Sequence, residues 1–211
     1  MPDLIVFDLD GTLIDSLRDL AAAINATRAM FSLKPLSVET VTSCVGNGVK
    51  VLIQRAFKDA PEVGFDDALA RYSRYYAEHL TVYTRLYPGV ADGLKAMHDR
   101  GIKLAVVTNK PSSSAKVILT DLQVADCFDA LCGGDGGVPL KPAPDMLLLF
   151  KERFNSKDCW MIGDHYTDLE AGRRAGFRRG FARYGFGDPH DEIPDFTLDS
   201  FPDLVSLALK D

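Results

Sequence analysis

The sequence predicts an α/β protein in which a parallel sheet, with helices on both faces, is interrupted by a long all-helical insert. Three observations carry that expectation. Short apolar runs at Leu4–Phe7, Lys103–Val107, Ala130–Cys132 and 159–162 have the length of buried parallel strands. From residue 86 onward these runs alternate with segments of helical period, as a parallel sheet with crossover helices requires. Between Ser16 and Arg85 the pattern is helical throughout, too long for a crossover inside a compact sheet domain. The expected organisation is a core of residues 1–15 and 86–211, with residues 16–85 as an inserted helical domain.

After the first strand, Leu17, Leu20, Ile24 and Phe31 recur at helical spacing, with Ser16 as the expected N-cap and Asp19 completing a variant capping box. Ser37 is placed to cap a short helix that ends before Gly46-Asn47-Gly48. A third helix is expected over 49–57. Phe65, Ala68, Leu69, Tyr72, Tyr76 and Leu80 mark an amphipathic fourth with one broad apolar face. Tyr87-Pro88-Gly89 leads into a helix over 90–100, which Gly101 stops. Further helices are expected over 112–122, from Pro144 to Phe154, and over 167–175, where Gly176 ends the run. Residues 194–211 read as one last helix without chemistry. Gly133-Gly134-Asp135-Gly136-Gly137 reads as a loop, because it lacks the lysine and spacing of a P-loop. Arg173, Arg174, Arg178, Arg179 and Arg183 read as a solvated helix end with cations near its C-terminus, in preference to an anion site.

With 211 residues, 46% hydrophobic and 26% charged, the chain has the composition of an ordinary globular core plus a small second unit. A formal net charge of −6 argues against a nucleic-acid partner held by bulk electrostatics. With no basic leader and no apolar stretch of about 20 residues, neither a signal peptide nor a membrane partner is expected, and the expected location is cytoplasmic. Cys44, Cys127, Cys132 and Cys159 lack zinc-site spacing and are expected to be reduced and mostly buried.

The chemistry concentrates where strands end. Asp8-Leu9-Asp10-Gly11-Thr12 follows the first strand, Thr108 follows Lys103–Val107, and Asp164 with Asp168 follows the strand at 159–162. Lys141 lies in a loop between Pro139 and Pro142. Taken singly, each has an ordinary reading: an acidic turn, a strand hydroxyl, a solvated lysine, an acid in a helix first turn. A parallel sheet, however, brings its strand ends to one edge, where ligands bind. Four carboxylates in one pocket cannot all ionise without counter-charge, and hard oxygen ligands of this kind suit Mg²⁺ together with a substrate phosphate.

In this order and at these strand ends, the motifs closely resemble those of the haloacid dehalogenase superfamily. The resemblance runs to about Gly187 and implies a Rossmann-like core with the helical insert as a cap over the site. It implies that Asp8 is a nucleophile forming an aspartyl-phosphate, and that Asp10 protonates the leaving alkoxide and then activates water. Thr108 and Lys141, aided by backbone N–H groups of the turn at 9–11, are expected to hold phosphoryl oxygens. Asp8, Asp164 and the Asp10 backbone carbonyl are expected to ligate Mg²⁺, with Asp168 behind them. His165 stands where the family more often has a small hydroxyl residue, and it reads as a structural neighbour rather than a base.

What the resemblance implies is a Mg²⁺-dependent phosphomonoester hydrolase acting on a small-molecule phosphate ester. Val45-Gly46-Asn47-Gly48, Thr108-Asn109-Lys110-Pro111 and Tyr184-Gly185 are similar to the phosphoglycolate phosphatase branch. Gly46, Asn47, Gly48 and Asn109 are accordingly expected to contact a small anionic ester such as 2-phosphoglycolate. N–H groups at the helix start near Gly48 would receive its carboxylate. A phosphomutase acting on a sugar phosphate, and a non-catalytic binding protein on the same fold, are the alternatives. The dehalogenase branch predicts no acid two residues after the nucleophile, where this chain has Asp10.

Overall fold

Four consecutive apolar residues form β1 (Leu4–Phe7), and all four are fully buried in the computed structural model, which describes residues 1–210. A run that is apolar on both faces is stable only where both faces are covered. After β1 come β2 (Ile14–Asp15), the helices α1 (Leu17–Ala29), α2 (Val38–Thr42), α3 (Val49–Ala56) and α4 (Phe65–Ala77), and then β3 (Arg85–Leu86). The chain continues through α5 (Val90–Asp99), β4 (Lys103–Val107), α6 (Ser112–Asp121), β5 (Ala130–Cys132), α7 (Asp145–Phe154) and β6 (Cys159–Gly163). It closes with α8 (Tyr166–Ala175), β7 (Arg178–Ala182), β8 (Phe196–Leu198) and α9 (Phe201–Ala208).

The six-stranded sheet has the order β5-β4-β1-β6-β7-β8, and every pairing is parallel. Side chains alternate between its faces. Ile5, Phe7, Leu104, Val106, Trp160 and Ile162 join one apolar cluster with Leu94 and Met97 of α5, Ile118 of α6 and Leu204 of α9. Leu4, Val6, Ala105, Val107 and Met161 join a second with Met146, Leu147 and Phe150 of α7 and Ala171 of α8. Full burial of each large apolar side chain is worth roughly 1.5–3 kcal/mol, so the central strands hold both layers in register. The chain leaves β1 for β4 on one side and returns to β6 on the other, which opens a crevice at the carboxyl ends of these three strands. Because Phe7 pairs with Val106 and with Ile162, residues 8, 108 and 164 arrive together at that edge.

The α/β architecture is as expected, and α1–α4 fill the stretch between Ser16 and Arg85. Leu20 and Ile24 of α1 and Ala68, Tyr72 and Tyr76 of α4 belong to the same apolar cluster as Phe7. Arg28 on α1 is among the largest fully buried side chains. Its guanidinium donates to the carbonyls of Lys34 at 2.7 Å and Ala56 at 2.6 Å, and to both oxygens of Asp59 at 2.8 Å, so it ties α1 to the end of α3.

Several elements differ from expectation. Ser16 makes no side-chain cap. Its hydroxyl donates instead to Asp10 Oδ1 at 2.5 Å, while the buried Asp19 carboxylate accepts from Tyr83 N, Thr84 N and Thr84 Oγ1. Three donors from the returning chain outcompete one helix-end amide, so Asp19 anchors the exit of the insert. Beside it, β2 and β3 pair antiparallel, a two-residue ladder too short to leave a period in the sequence. The arginine-rich stretch at 178–182 is a strand and not a helix end. Arg178 stacks over Trp160 and Phe196, and Arg179 is paired with Asp195 and Glu192. Phe196–Leu198 is likewise a strand, and the final helix is limited to α9; Asp211, with which it was expected to end, lies outside the described residues. Ser37 caps α2 by accepting from Thr40 N, as predicted. Among the described residues no helix is long and apolar enough to cross a membrane. All four cysteines are free, and three of them are buried.

Candidate active site

The carboxyl ends of β1 and β6 place Asp8, Asp164 and Asp168 so that one carboxylate oxygen from each lies within 4.8 Å of the others. Asp164 and Asp168 are almost wholly buried, and Asp8 faces a cavity of about 500 Å³. Behind them the Lys141 ammonium contacts Asp8 Oδ1 at 2.9 Å, Asp168 Oδ1 at 2.6 Å and the Val107 carbonyl at 2.7 Å. The ammonium thus donates to one carbonyl and forms ion pairs with two carboxylates, and Lys141 does not line the cavity. Burial opposes its charge, yet Asp168 and Asp8 hold its pKa above the ordinary lysine value.

One ammonium cannot balance three acids. Burial pushes Asp8 up to about 6 even with Lys141 opposing, and burial with the charges of Asp168 and Asp8 pushes Asp164 well above the usual carboxylate range. Asp164 also accepts from Phe186 N at 3.1 Å and Gly187 N at 2.8 Å, which fixes its direction. Three hard oxygen donors with a surplus of negative charge fit a small divalent cation. Asp168 lies within this cluster, with its Oδ1 against the Lys141 ammonium and its Oδ2 accepting from His165 N at 3.0 Å. The Asp10 carboxylate lies outside the cluster.

Two glycines make the close approach possible. Gly11 has φ +84, and a Cβ there would fall inside the Asp164 carboxylate; a Cβ at Gly163 would fall inside that of Asp168. Of the turn amides expected to cradle phosphate, Leu9 N already donates to Asp8 Oδ1 at 2.7 Å and Gly11 N to the Ile14 carbonyl at 2.8 Å.

Asp10 sits at the cavity wall, held by Ser16 Oγ and by Lys110 Nζ, which lies 2.8 Å from both of its oxygens. Lys110 was not singled out as a site residue. Its signals were its position two residues after Thr108 at a strand end and its place in the Thr108-Asn109-Lys110-Pro111 motif. The Lys110 ammonium also lies 4.9 Å from the centre of the Tyr76 ring, linking core to insert, and the Tyr76 hydroxyl is buried without a partner. Thr108 lines the cavity, and its Oγ1 accepts from Lys110 N at 3.2 Å.

The loop at 46–48 lies on the opposite wall. Asn109 lines the cavity, and its amide donates to the Gly46 and Lys141 carbonyls at 3.0 Å each and accepts from Lys141 N at 2.9 Å. Asn109 therefore fastens the insert loop to the core. Asn47 donates to Tyr166 OH at 2.9 Å, and its own carbonyl oxygen has no partner. Gly46, Asn47 and Gly48 all line the cavity, with Gly48 as the N-cap of α3. His165 caps α8, and its ring lies where a Cβ on Gly46 would come within 2.7 Å. Burial pushes its imidazole down to about 4, so it is neutral near pH 7 and packs as a structural neighbour, as expected.

A parallel sheet with acids at its switch point, a buried lysine behind them and a helical insert opposite defines a hydrolase site of a particular family. The model of the haloacid dehalogenase-like hydrolase family matches residues 5–182, and the chain belongs to that family. Among its relatives, a phosphoglycolate phosphatase of Aquifex aeolicus is 37% identical over 205 residues, covering 96% of this chain and 95% of the relative. Phosphoglycolate phosphatase 1 of Pseudomonas aeruginosa is 35% identical, covering 99% of this chain and 80% of the relative. The crystal structure of a predicted phosphoglycolate phosphatase from Haemophilus somnus 129pt superposes with a TM-score of 0.92 at 34% identity, covering 97% of each chain.

Proposed function

We propose that the chain is a Mg²⁺-dependent phosphomonoester hydrolase that works through an aspartyl-phosphate on Asp8, with a small anionic ester such as 2-phosphoglycolate as substrate. The observation that carries this reading is the Asp8 carboxylate: it faces the cavity at the centre of the acid cluster, with the Lys141 ammonium 2.9 Å behind it. Phosphatase relatives that match the chain along its whole length support the reaction class and the substrate.

A phosphomonoester dianion and a carboxylate nucleophile repel one another, so the site must concentrate positive charge. Lys141 supplies one charge from behind. Asp8, Asp164 and the Asp10 backbone carbonyl would hold Mg²⁺, with Asp168 behind them, and the ion when bound would neutralise phosphoryl and carboxylate charge together. Leu9 N and Lys141 both bind Asp8 Oδ1, leaving the second oxygen to attack phosphorus. As the Asp8 O–P bond forms and the ester P–O bond breaks, protonated Asp10 gives its proton to the alkoxide leaving group. The resulting Asp10 carboxylate then takes a proton from water, whose oxygen attacks phosphorus and releases phosphate and free Asp8. Lys110 and Ser16 set the direction of the Asp10 carboxylate, and Thr108 offers its hydroxyl to a phosphoryl oxygen. Residues 16–85 act as a cap over the leaving group.

The test is phosphate release from a panel of esters, with Mg²⁺ and with a chelator. Turnover of 2-phosphoglycolate should exceed that of sugar phosphates and pyrophosphate, require Mg²⁺ and vanish in Asp8→Asn while folding is retained. Undiminished activity in that variant would rule out the covalent route, and faster release from sugar phosphates would overturn the substrate.

A further inference from the structure

We infer that Arg55, on the insert, is the specificity-determining residue that binds the carboxylate of the leaving group. This rests on the phosphatase reading above and assigns the end of the substrate that the core motifs do not touch.

The cavity lining is rich in acids: Asp8, Asp10, Glu39, Asp164 and Asp188. Two of its described residues carry a full positive charge, Lys110 and Arg55. Lys110 is committed to Asp10 through both carboxylate oxygens. Arg55 is different. It is exposed, and among the described residues no ion pair or hydrogen bond holds its guanidinium, whereas the other cavity cation has an acid partner and the buried Arg28 has two carbonyls and Asp59. An arginine without a counter-charge at the rim of an acid-rich cavity is the group that an added anion would meet.

Its place on the helix fits that role. Gly48, Leu52 and Arg55 are spaced i, i+4 and i+7 and all line the cavity, so they share one face of α3. The insert wall of the cavity mixes apolar Val45, Leu52, Tyr72 and Tyr76 with polar Glu39 and Asn47, and Arg55 is its one described cation, so an anion bound to this wall has Arg55 as its cationic partner. The two walls of one cavity would then hold a two-ended anionic substrate, with the phosphoryl group at Asp8 and Thr108 on the core side and a carboxylate at Arg55 on the insert side. A planar guanidinium also matches the bidentate geometry of a carboxylate.

The experiment compares 2-phosphoglycolate with ethyl phosphate, which lacks the carboxylate, in the presence of Mg²⁺, using wild type, Arg55→Met and Arg55→Lys. The ratio of kcat/KM for the two esters should fall roughly 10- to 100-fold in Arg55→Met, mostly through KM, as expected for loss of a charge-assisted hydrogen-bonded pair. Arg55→Lys should recover part of that ratio. An unchanged ratio in Arg55→Met, whether both esters slow equally or neither does, would refute the assignment. A wild-type enzyme that turns over both esters equally well would show that no carboxylate is read at all, and the substrate proposal would fall with Arg55. That failure is visible before any variant is made.

Discussion

Lys141→Met removes the charge behind the acid cluster while keeping most of the side-chain volume, so its cost measures how strongly the buried carboxylates depend on one ammonium. The Lys141 side chain is 1% exposed and that of Asp168 is 0% exposed, so Asp168 cannot turn to water when the ammonium is lost, whereas Asp8 still faces the cavity. Breaking a buried ion pair by removing one partner costs about 3–5 kcal/mol. The Val107 carbonyl also loses its donor, while protonation of Asp8, already held at about 6, offsets part of the loss. A net destabilisation of about 3–5 kcal/mol near pH 7 is therefore expected, a large share of the roughly 5–15 kcal/mol that holds an ordinary domain folded. Urea unfolding in chelator measures it. The sign of the pH dependence is a second check. Because the folded pKa of Asp8 is raised from 3.8 to about 6, the folded state binds its proton more tightly than the unfolded one, and this contribution to stability is lost as pH rises between those values. Without Lys141 the window extends upward, so the variant should lose stability more steeply above pH 6. Mg²⁺ should recover more stability in the variant than in wild type, because it restores the missing positive charge. A loss under about 1 kcal/mol in chelator would refute the charge-balance argument.

Arg28→Met should cost about 3 kcal/mol by urea unfolding, because it strips the donor from the buried Ala56 carbonyl and releases α1 from α3; a change within about 0.5 kcal/mol would show that the insert does not need this tie. Asp59, paired with Arg28, is held at about 2, so its contribution is present above the unfolded value of 3.8 and lost as pH falls toward 2. Asp59→Asn should accordingly flatten the acid limb of the stability curve between pH 4 and 2, read by circular dichroism. Gly11→Ala forces a side chain at φ +84 into the Asp164 carboxylate, so turnover and any Mg²⁺-dependent rise in Tm should both be lost; a variant that keeps either would contradict the packing of this turn.

Much of the core was legible because its signals are local. Four apolar residues ending in Asp8, a five-residue run ending before Thr108 and another ending at Gly163-Asp164 each announce a strand and the group at its tip. β7 was hidden because Arg178 and Arg179 look like solvated cations until Trp160, Phe196 and Asp195 are found beside them. The Ser16 and Asp19 cap failed for a related reason: helix-end chemistry was read correctly as polar, but Asp10 and the returning chain at 83–84 offered stronger partners.

The amino-acid sequence by itself determined the α/β layering, the helical stretch and the identity of the groups at the strand ends, because apolar period and terminal side chains are properties of short segments. Only the tertiary structure decided what those groups do to one another. It turned Lys141 inward to Asp8 and Asp168, gave Asp10 to Lys110, and used Asn109 to fasten the insert loop. It also left Arg55 lining the cavity without a counter-charge among the described residues. These outcomes depend on which charges meet across distant loops in a low-dielectric site, and spacing along a chain does not encode that competition.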